Sequence, residues 1–467
     1  MFDSMESNPW DDAEQIALKA YELYENGDYS DALERLQEAI EINPDNASWL
    51  FNAGLTFDAM NNFKAAIRSY EAALELKPDD PEIMNTLAID YTRTGMYDLA
   101  LDVFERIESI DPTFEPCYCN RIIAYAEIDR HDLAEQMFYL AQQIEPDCPI
   151  CFYNIGNSLF SQRKFKRAIW CWQKTVKLEP SHPQINYRIA QAYWADGEKE
   201  KAKKYFFSEL RSNPGDTVVL LDFAIFLLEW GELEAAKEKF GRILEIEPDS
   251  ARAKFYLGDI ALSNGDPQKA AELYFDAADE NPLLSGPRFR LAQIAFAEDK
   301  YEKTLQLLEN ELRLNIEDPD VMMSIGSMLL KIGAYDSAMD CFLTVVDGDP
   351  SNSRAFYYMG KTLAVQGELE GAGYFLEHAL ELGCEDPELR IDMARLYFKA
   401  GKFDQASENL RLYSRHAGDS LRAEYLKRRI RRAELRKKIR ASKLGPVIEK
   451  LQMLSARIQC KIRRLFV

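Results

Sequence analysis

Residues 149–182 read "PICFYNIGNSLFSQRKFKRAIWCWQKTVKLEPSH". Pro180 stands 34 residues after Pro146, and the same interval places prolines at 44, 78, 112, 146, 180, 214, 248 and 282. The register runs on to Pro350, with Ile316 where the intervening proline would fall. A fixed period of this length is the mark of a repeat architecture, one supersecondary unit stacked on copies of itself. Units starting at 13, 47, 81, 115, 149, 183, 217, 251, 285, 319, 353 and 387 fill residues 13–420 as twelve repeats without insertion or deletion.

Three kinds of position recur inside the unit. The eighth is small (Gly54, Ala88, Gly156, Ala190, Gly258 among others) except for Ile122, and the twentieth is alanine except for Thr304. Small residues twelve apart, on separate helices, let the two axes approach closely. Between them a glycine occupies the turn in eight units (Gly27, Gly95, Gly197, Gly231, Gly265, Gly333, Gly367, Gly401). A residue of positive φ suits the end of the first helix. Large side chains at position 24, such as Tyr70, Phe104, Trp172 and Phe206, are expected to fill the space between neighbouring hairpins. The proline then stops the second helix.

These residues resemble the tetratricopeptide repeat (TPR), and the resemblance covers 408 of 467 residues. It implies an all-α fold: antiparallel helix pairs stacked in a right-handed superhelix, with the first helix of each pair lining a concave groove. It also implies a protein-interaction scaffold as the function.

Composition agrees with a soluble, folded chain, 47% hydrophobic and 29% charged. The start, "MFDSMESNPWDD", is acidic and lacks the apolar core of a secretory signal. The most apolar stretch, residues 218–230, carries Asp222 and is too short to span a bilayer. Eight cysteines in that setting are expected as reduced thiols, which points to a cytoplasmic location. An enzyme is not expected. Residues 1–12, an acidic tail, and 421–467 are each too small for a catalytic core. His131, His182, His378 and His416 lie in different repeats, and no nucleophile elbow, phosphate loop or zinc-protease signature occurs. No cofactor is expected.

"CYC" (Cys117, Cys119) and "CPIC" (Cys148, Cys151) could suggest a four-thiolate zinc site. Cys117 and Cys151 occupy the same position of adjacent repeats, which sets their backbones about one interhelical distance apart, roughly 8–10 Å. That is at the edge of bridging by one ion, and buried or idle thiols are the preferred reading.

On the first helix of a unit, positions 2, 5, 9 and 12, with 6 beside them, point away from the small-residue contact. Asn52, Asn120 and Asn154 occupy position 6, and Asn157, Gln191 and Gln293 position 9. A carboxamide offers donors and an acceptor together, so spaced amides can clasp a peptide backbone. The pattern is similar to the asparagine ladder of the O-linked N-acetylglucosamine transferases, although Thr86, Arg188 and Asp222 interrupt it here. Asparagine at position 6 also occurs as a generic packing residue. No three consecutive units supply the lysine, asparagine and arginine of the Hsp70/Hsp90 carboxylate clamp, so that partner class is not expected. The seventh unit differs from the rest: Val218, Leu221, Ile225 and Leu228 make its groove face apolar as well as its packed one. Such a patch marks a partner site, unless the curvature of the array buries it. The expected partner-binding set is Asn120, Asn154, Asn157, Tyr187, Arg188, Gln191, Trp194, Val218, Leu221, Ile225 and Leu228.

Charge divides the chain sharply. The total is −21, but residues 417–467 hold 16 Lys and Arg against four acids, or +12, leaving −33 on the rest. Residues 421–444 are expected as a basic helix that closes the array, because Arg428 falls at the small position and no further unit can stack. Gly445 and Pro446 should break it, and residues 447–467 then place Val447, Leu451, Leu454, Ile458, Ile462 and Leu465 on one stripe of a basic amphipathic helix. This tail has three readings: a cap on its own acidic array, an anchor on an anionic membrane, or a nucleic-acid contact.

Overall fold

The computed structural model describes residues 9–417 and 420–441, and every regular element among them is an α-helix. The period sets where helices begin. First helices start on the opening residue of the unit at Ala47, Pro81, Glu115, Pro149, Thr217, Ala251, Pro319, Ser353 and Pro387. Several are capped by the residue just before, as where Asp216 accepts from the Val218 and Val219 N–H groups, both at 3.1 Å. Two start late, at Ile185 and Pro287, each after a residue of positive φ, Gln184 or Gly286. The first of all begins at Pro9, inside the segment expected as a tail.

Two compact units divide the chain between Lys239 and Phe240. In residues 1–239 the core is built on Tyr70, Phe104, Trp172 and Phe206, each at most 1% exposed. In residues 240–467 Tyr274, Phe342, Tyr357 and Leu376 do the same work.

Turn geometry follows the register more closely than it follows residue type. All eight turn glycines have positive φ, and in the four units without glycine Asn61, Asp129, Arg163 and Asp299 adopt φ of 57–58° at the same position. An L residue there costs roughly 1–2 kcal/mol, so hairpin packing overrides local preference. Arg163 is exposed and is the bulkiest of the four. Arg163→Gly is therefore expected to stabilise the protein by about 0.5–1 kcal/mol after the entropy of the unfolded glycine is subtracted. Chemical denaturation of the two proteins tests it, and a loss of stability would show that the side chain holds the turn.

The role of position 24 differs from expectation. Rather than only bridging hairpins, its side chain lies over position 8 of its own hairpin. A methyl group built on Gly54 would sit 2.3 Å from the Tyr70 ring, on Gly156 2.5 Å from Trp172 Nε1, and on Gly258 2.5 Å from the Tyr274 ring. Tyrosine and tryptophan occur at position 24 only opposite these glycines, while Ala88 and Ala190 stand opposite the smaller Phe104 and Phe206. The largest rings thus stand over glycine, while Phe342 and Leu376 also stand over glycine, at Gly326 and Gly360. Opposite Ile122, Phe138 is half-buried and packs edge-on against Phe152 at 5.4 Å.

The helix Leu421–Ala441 lies on the end of the second unit with Ala423, Leu426 and Ile430 buried. Its charges stay useful at the surface: Arg429 covers the Phe398 ring at 5.1 Å and Lys437 the Phe403 ring at 5.6 Å. Arg428, at the small position, is exposed and pairs with Glu424. Residues 1–8, the break at Gly445 and Pro446, and the amphipathic segment 447–467 lie outside the described residues. No described helix is long and apolar enough to cross a membrane.

One expectation about cysteine is overturned. Cys119 and Cys151 are joined by a disulfide rather than standing as separate thiols, because adjacent first helices bring their Cα atoms to 5.0 Å.

Candidate partner-binding face

The expected site residues lie on four successive first helices of the first unit, Glu115–Glu127, Pro149–Ser161, Ile185–Ala195 and Thr217–Glu229. The last of these is the most apolar. Val219, Leu220, Phe223, Ala224, Phe226 and Leu227 are buried, with Phe223 stacked on Phe206 at 5.0 Å and Phe226 edge-on to Trp194 at 5.8 Å. That packing fixes the rotation of the helix. Val218, Leu221, Ile225 and Leu228, spaced three, four and three residues apart, then share one stripe. Val218 is 56% exposed and the other three are half-buried, so the stripe is not closed over.

A polar network borders it. Asp222 Oδ2 accepts from the Tyr187 hydroxyl at 2.6 Å and from Gln191 Nε2 at 3.0 Å, while Arg188 donates to Gln191 Oε1 at 3.5 Å. Burial, reinforced by the Asp222 carboxylate, holds the Tyr187 phenol well above its usual range. It therefore remains a donor at any physiological pH. The Tyr187 backbone N–H donates to Glu209 at 3.2 Å, which offsets part of the upward shift that burial gives that carboxyl. Arg188 Nε is buried and has no hydrogen-bond partner. Trp194 Nε1 donates to Glu229 at 2.8 Å, holding the indole against the Thr217 helix.

The amides upstream are more committed than the sequence suggests. Asn154 is 5% exposed and donates to the Cys119 carbonyl at 2.9 Å, and Asn120 donates to Asn85 at 3.2 Å. Asn157 is half-buried. Tyr187, Arg188 and Gln191 are joined to one another through Asp222 and Gln191, whereas Asn120 and Asn154 serve contacts between their own repeats. Sequence reading missed Asp222 and Glu229 as partners and treated Asp222 only as a gap. The missed signal is arithmetic: Asn85 to Asn120, Cys119 to Asn154, Tyr187 to Asp222, Trp194 to Glu229 and Tyr357 to Asp392 are each 35 residues apart, one period plus one.

Comparison with known proteins gives a consistent picture. Models described as tetratricopeptide repeat match residues 18–81, 51–113, 221–283 and 363–430, and one described as YpiA-like, C-terminal tetratricopeptide repeats, matches 183–250. Among curated proteins, the DnaJ homolog subfamily C member 3 of Bos taurus is 29% identical over 94 residues, 20% of this chain and 19% of that protein. The protein O-mannosyl-transferase TMTC1 of Mus musculus is 27% identical over 103 residues, 21% of this chain and 11% of that protein. The chain thus spans a fifth or less of the length of these relatives. Among solved structures, the APC/C hetero-tetramer Cut9-Hcn1 aligns over 90% of this chain and 96% of its own at 13% identity, with a TM-score of 0.39.

Proposed function

Because the chain belongs to the tetratricopeptide repeat family, we propose that it is a non-catalytic scaffold that binds a partner peptide or helix on the first-helix face of residues 115–229. The observation that carries this reading is the stripe Val218, Leu221, Ile225 and Leu228, exposed at Val218 and half-buried along the rest, on a helix whose opposite side is packed. An amphipathic helix presenting apolar residues at three- and four-residue spacing matches it, and this is a recurrent recognition mode. Tyr187 and Gln191 of the Asp222 network, and Trp194, border the stripe from the same preceding helix, Ile185–Ala195, and offer polar and aromatic surface along that edge. The helix Leu421–Ala441 closes the array at its far end, supported by the burial of Ala423, Leu426 and Ile430.

Selection of a displayed peptide library on the whole protein tests the proposal. Peptides with apolar residues in i, i+3 or i+4 spacing are expected to be enriched on the wild type and lost on Val218→Asp. Because Val218 is largely exposed, that change should leave the melting temperature alone. Equal enrichment on both proteins would place the partner face elsewhere.

A further inference from the structure

Beneath that face, at the starts of the Glu115 and Pro149 helices, four ligand-bearing side chains converge. Glu115, Cys119, Cys148 and Cys151 each contribute one oxygen or sulfur atom, and these four atoms lie within 4.8 Å of one another. Cys119, Cys148 and Cys151 are at most 5% exposed. Glu115 Oε1 lies 2.7 Å from Cys119 Sγ and 3.1 Å from Cys151 Sγ, and Cys148 Sγ stands 3.6 Å from Cys119 Sγ. Local geometry explains the convergence. Glu115 and Cys119 are one turn apart on one helix. Cys148 is the N-cap of the next, and its sulfur accepts the Cys151 backbone N–H at 3.4 Å.

The Cys119–Cys151 disulfide accounts for two of these groups only. It leaves unexplained why a third thiol and a carboxylate are packed against the same sulfurs. No ion pair reaches Glu115 among the described residues, and nearby Arg121 is turned to Glu105 and Glu108, at 2.9 and 2.8 Å. We propose that Glu115, Cys119, Cys148 and Cys151 form a tetrahedral zinc site in the reduced protein. With Zn–S near 2.3 Å, two sulfurs on one tetrahedral zinc lie about 3.8 Å apart, close to the Cys119–Cys148 separation. With Zn–O near 2.0 Å the oxygen-to-sulfur edge is about 3.5 Å, so the Glu115 contacts need open by less than about 1 Å. Three thiolates and one carboxylate, closed and buried, suit zinc better than harder cations, which want oxygen, and lack the fourth thiolate of a cubane cluster.

The chemistry balances simply. A thiol reductant gives two electrons and two protons to the Cys119–Cys151 disulfide, restoring two thiols and being oxidised to its own disulfide. Zinc then displaces three protons, one from each of Cys119, Cys148 and Cys151, and takes the Glu115 carboxylate as its fourth ligand. The ion would pin two successive first helices together directly under Asn154, whose amide is bonded to the Cys119 carbonyl. Cys117 takes no part, since its sulfur points to the Phe104 carbonyl at 3.3 Å.

The test is metal analysis of the full chain, reduced, incubated with zinc and passed through a desalting column, with cobalt substitution alongside. One zinc per chain is expected, together with a tetrahedral cobalt spectrum carrying sulfur-to-metal charge-transfer bands. Cys148→Ser, Cys151→Ser and Glu115→Gln should each lose or weaken binding, while Cys117→Ser retains it. Circular dichroism checks that each variant is folded, and the wild-type cobalt spectrum reports the thiolates even if one is not. Reduced wild-type protein that takes up no zinc would overturn the proposal and leave a disulfide with a neighbouring thiol. So would loss of zinc in Cys117→Ser with full retention in Glu115→Gln.

Discussion

Trp172→Ala is expected to destabilise the protein by about 3–5 kcal/mol, with the damage concentrated in the hairpins around residues 149–182. Trp172 is 1% exposed, lies over Gly156, and donates its indole N–H to the Tyr153 carbonyl at 3.2 Å. Truncation would leave a void over a residue with no side chain and remove a second hydrogen bond from a helical carbonyl. The cause is separable from generic loss of a ring. Gly156→Ala alone forces a methyl to within 2.5 Å of Trp172 Nε1, an overpacking cost of about 1–3 kcal/mol set against roughly 1 kcal/mol of helix propensity gained. Trp172→Phe alone leaves part of the space empty. Together they reproduce the Ala190 and Phe206 pair of the next repeat, so the double variant should be more stable than the sum of the single losses by about 0.5–3 kcal/mol. Urea unfolding of the four proteins measures this, and strict additivity would show that the two positions do not share one volume.

Leu221→Asp is expected to weaken binding of any peptide selected on the stripe by about 2 kcal/mol or more, roughly 30-fold in Kd. Leu221 stands in the middle of the stripe, between exposed Val218 and half-buried Ile225, beside the Asp222 network. A second carboxylate there would face the peptide's apolar anchor and also crowd Asp222. Asn157→Ala should cost only a few-fold, as one peripheral amide contributes about 0.5–1.5 kcal/mol. Asn154→Ala is a different experiment, because it removes the donor to the Cys119 carbonyl and so reports on packing between repeats. Titration calorimetry with melting curves for each variant separates the two. Unchanged affinity in Leu221→Asp would remove the stripe from the binding site.

Much of this fold is legible in the sequence because its determinants are local. A proline after most second helices and small residues at positions 8 and 20 repeat in place, and nine of the twelve first helices begin on the opening residue of their unit. What escaped is relational. Reading each column by itself shows Gly156 and Trp172 as separate small and large positions, and hides that one is sized to the other. Comparing like positions across repeats hides contacts that step forward by a period plus one, which is how Asp222 reaches Tyr187. The thiols illustrate the same limit. Cys117 and Cys119 look like a chelating pair, but residues two apart on a helix face opposite sides at roughly 200°. The group that joins Cys119 is Glu115, one turn away and of a different chemical type, so a search for four cysteines passes over it.

The match between positions 8 and 24 also constrains how such an array can grow or shrink. A duplication or deletion whose breakpoints fall in the loop between hairpins carries each glycine with its own large ring, and every copy arrives already fitted. A breakpoint inside the hairpin separates them. Joining the helix that holds Ala190 to the one that holds Trp172 would drive a methyl into an indole, whereas glycine opposite phenylalanine is tolerated, as Gly326 and Phe342 show. Heredity is thus steered by packing toward whole 34-residue cassettes. The unbroken register from residue 13 to 420 is what gain and loss in such cassettes would leave behind.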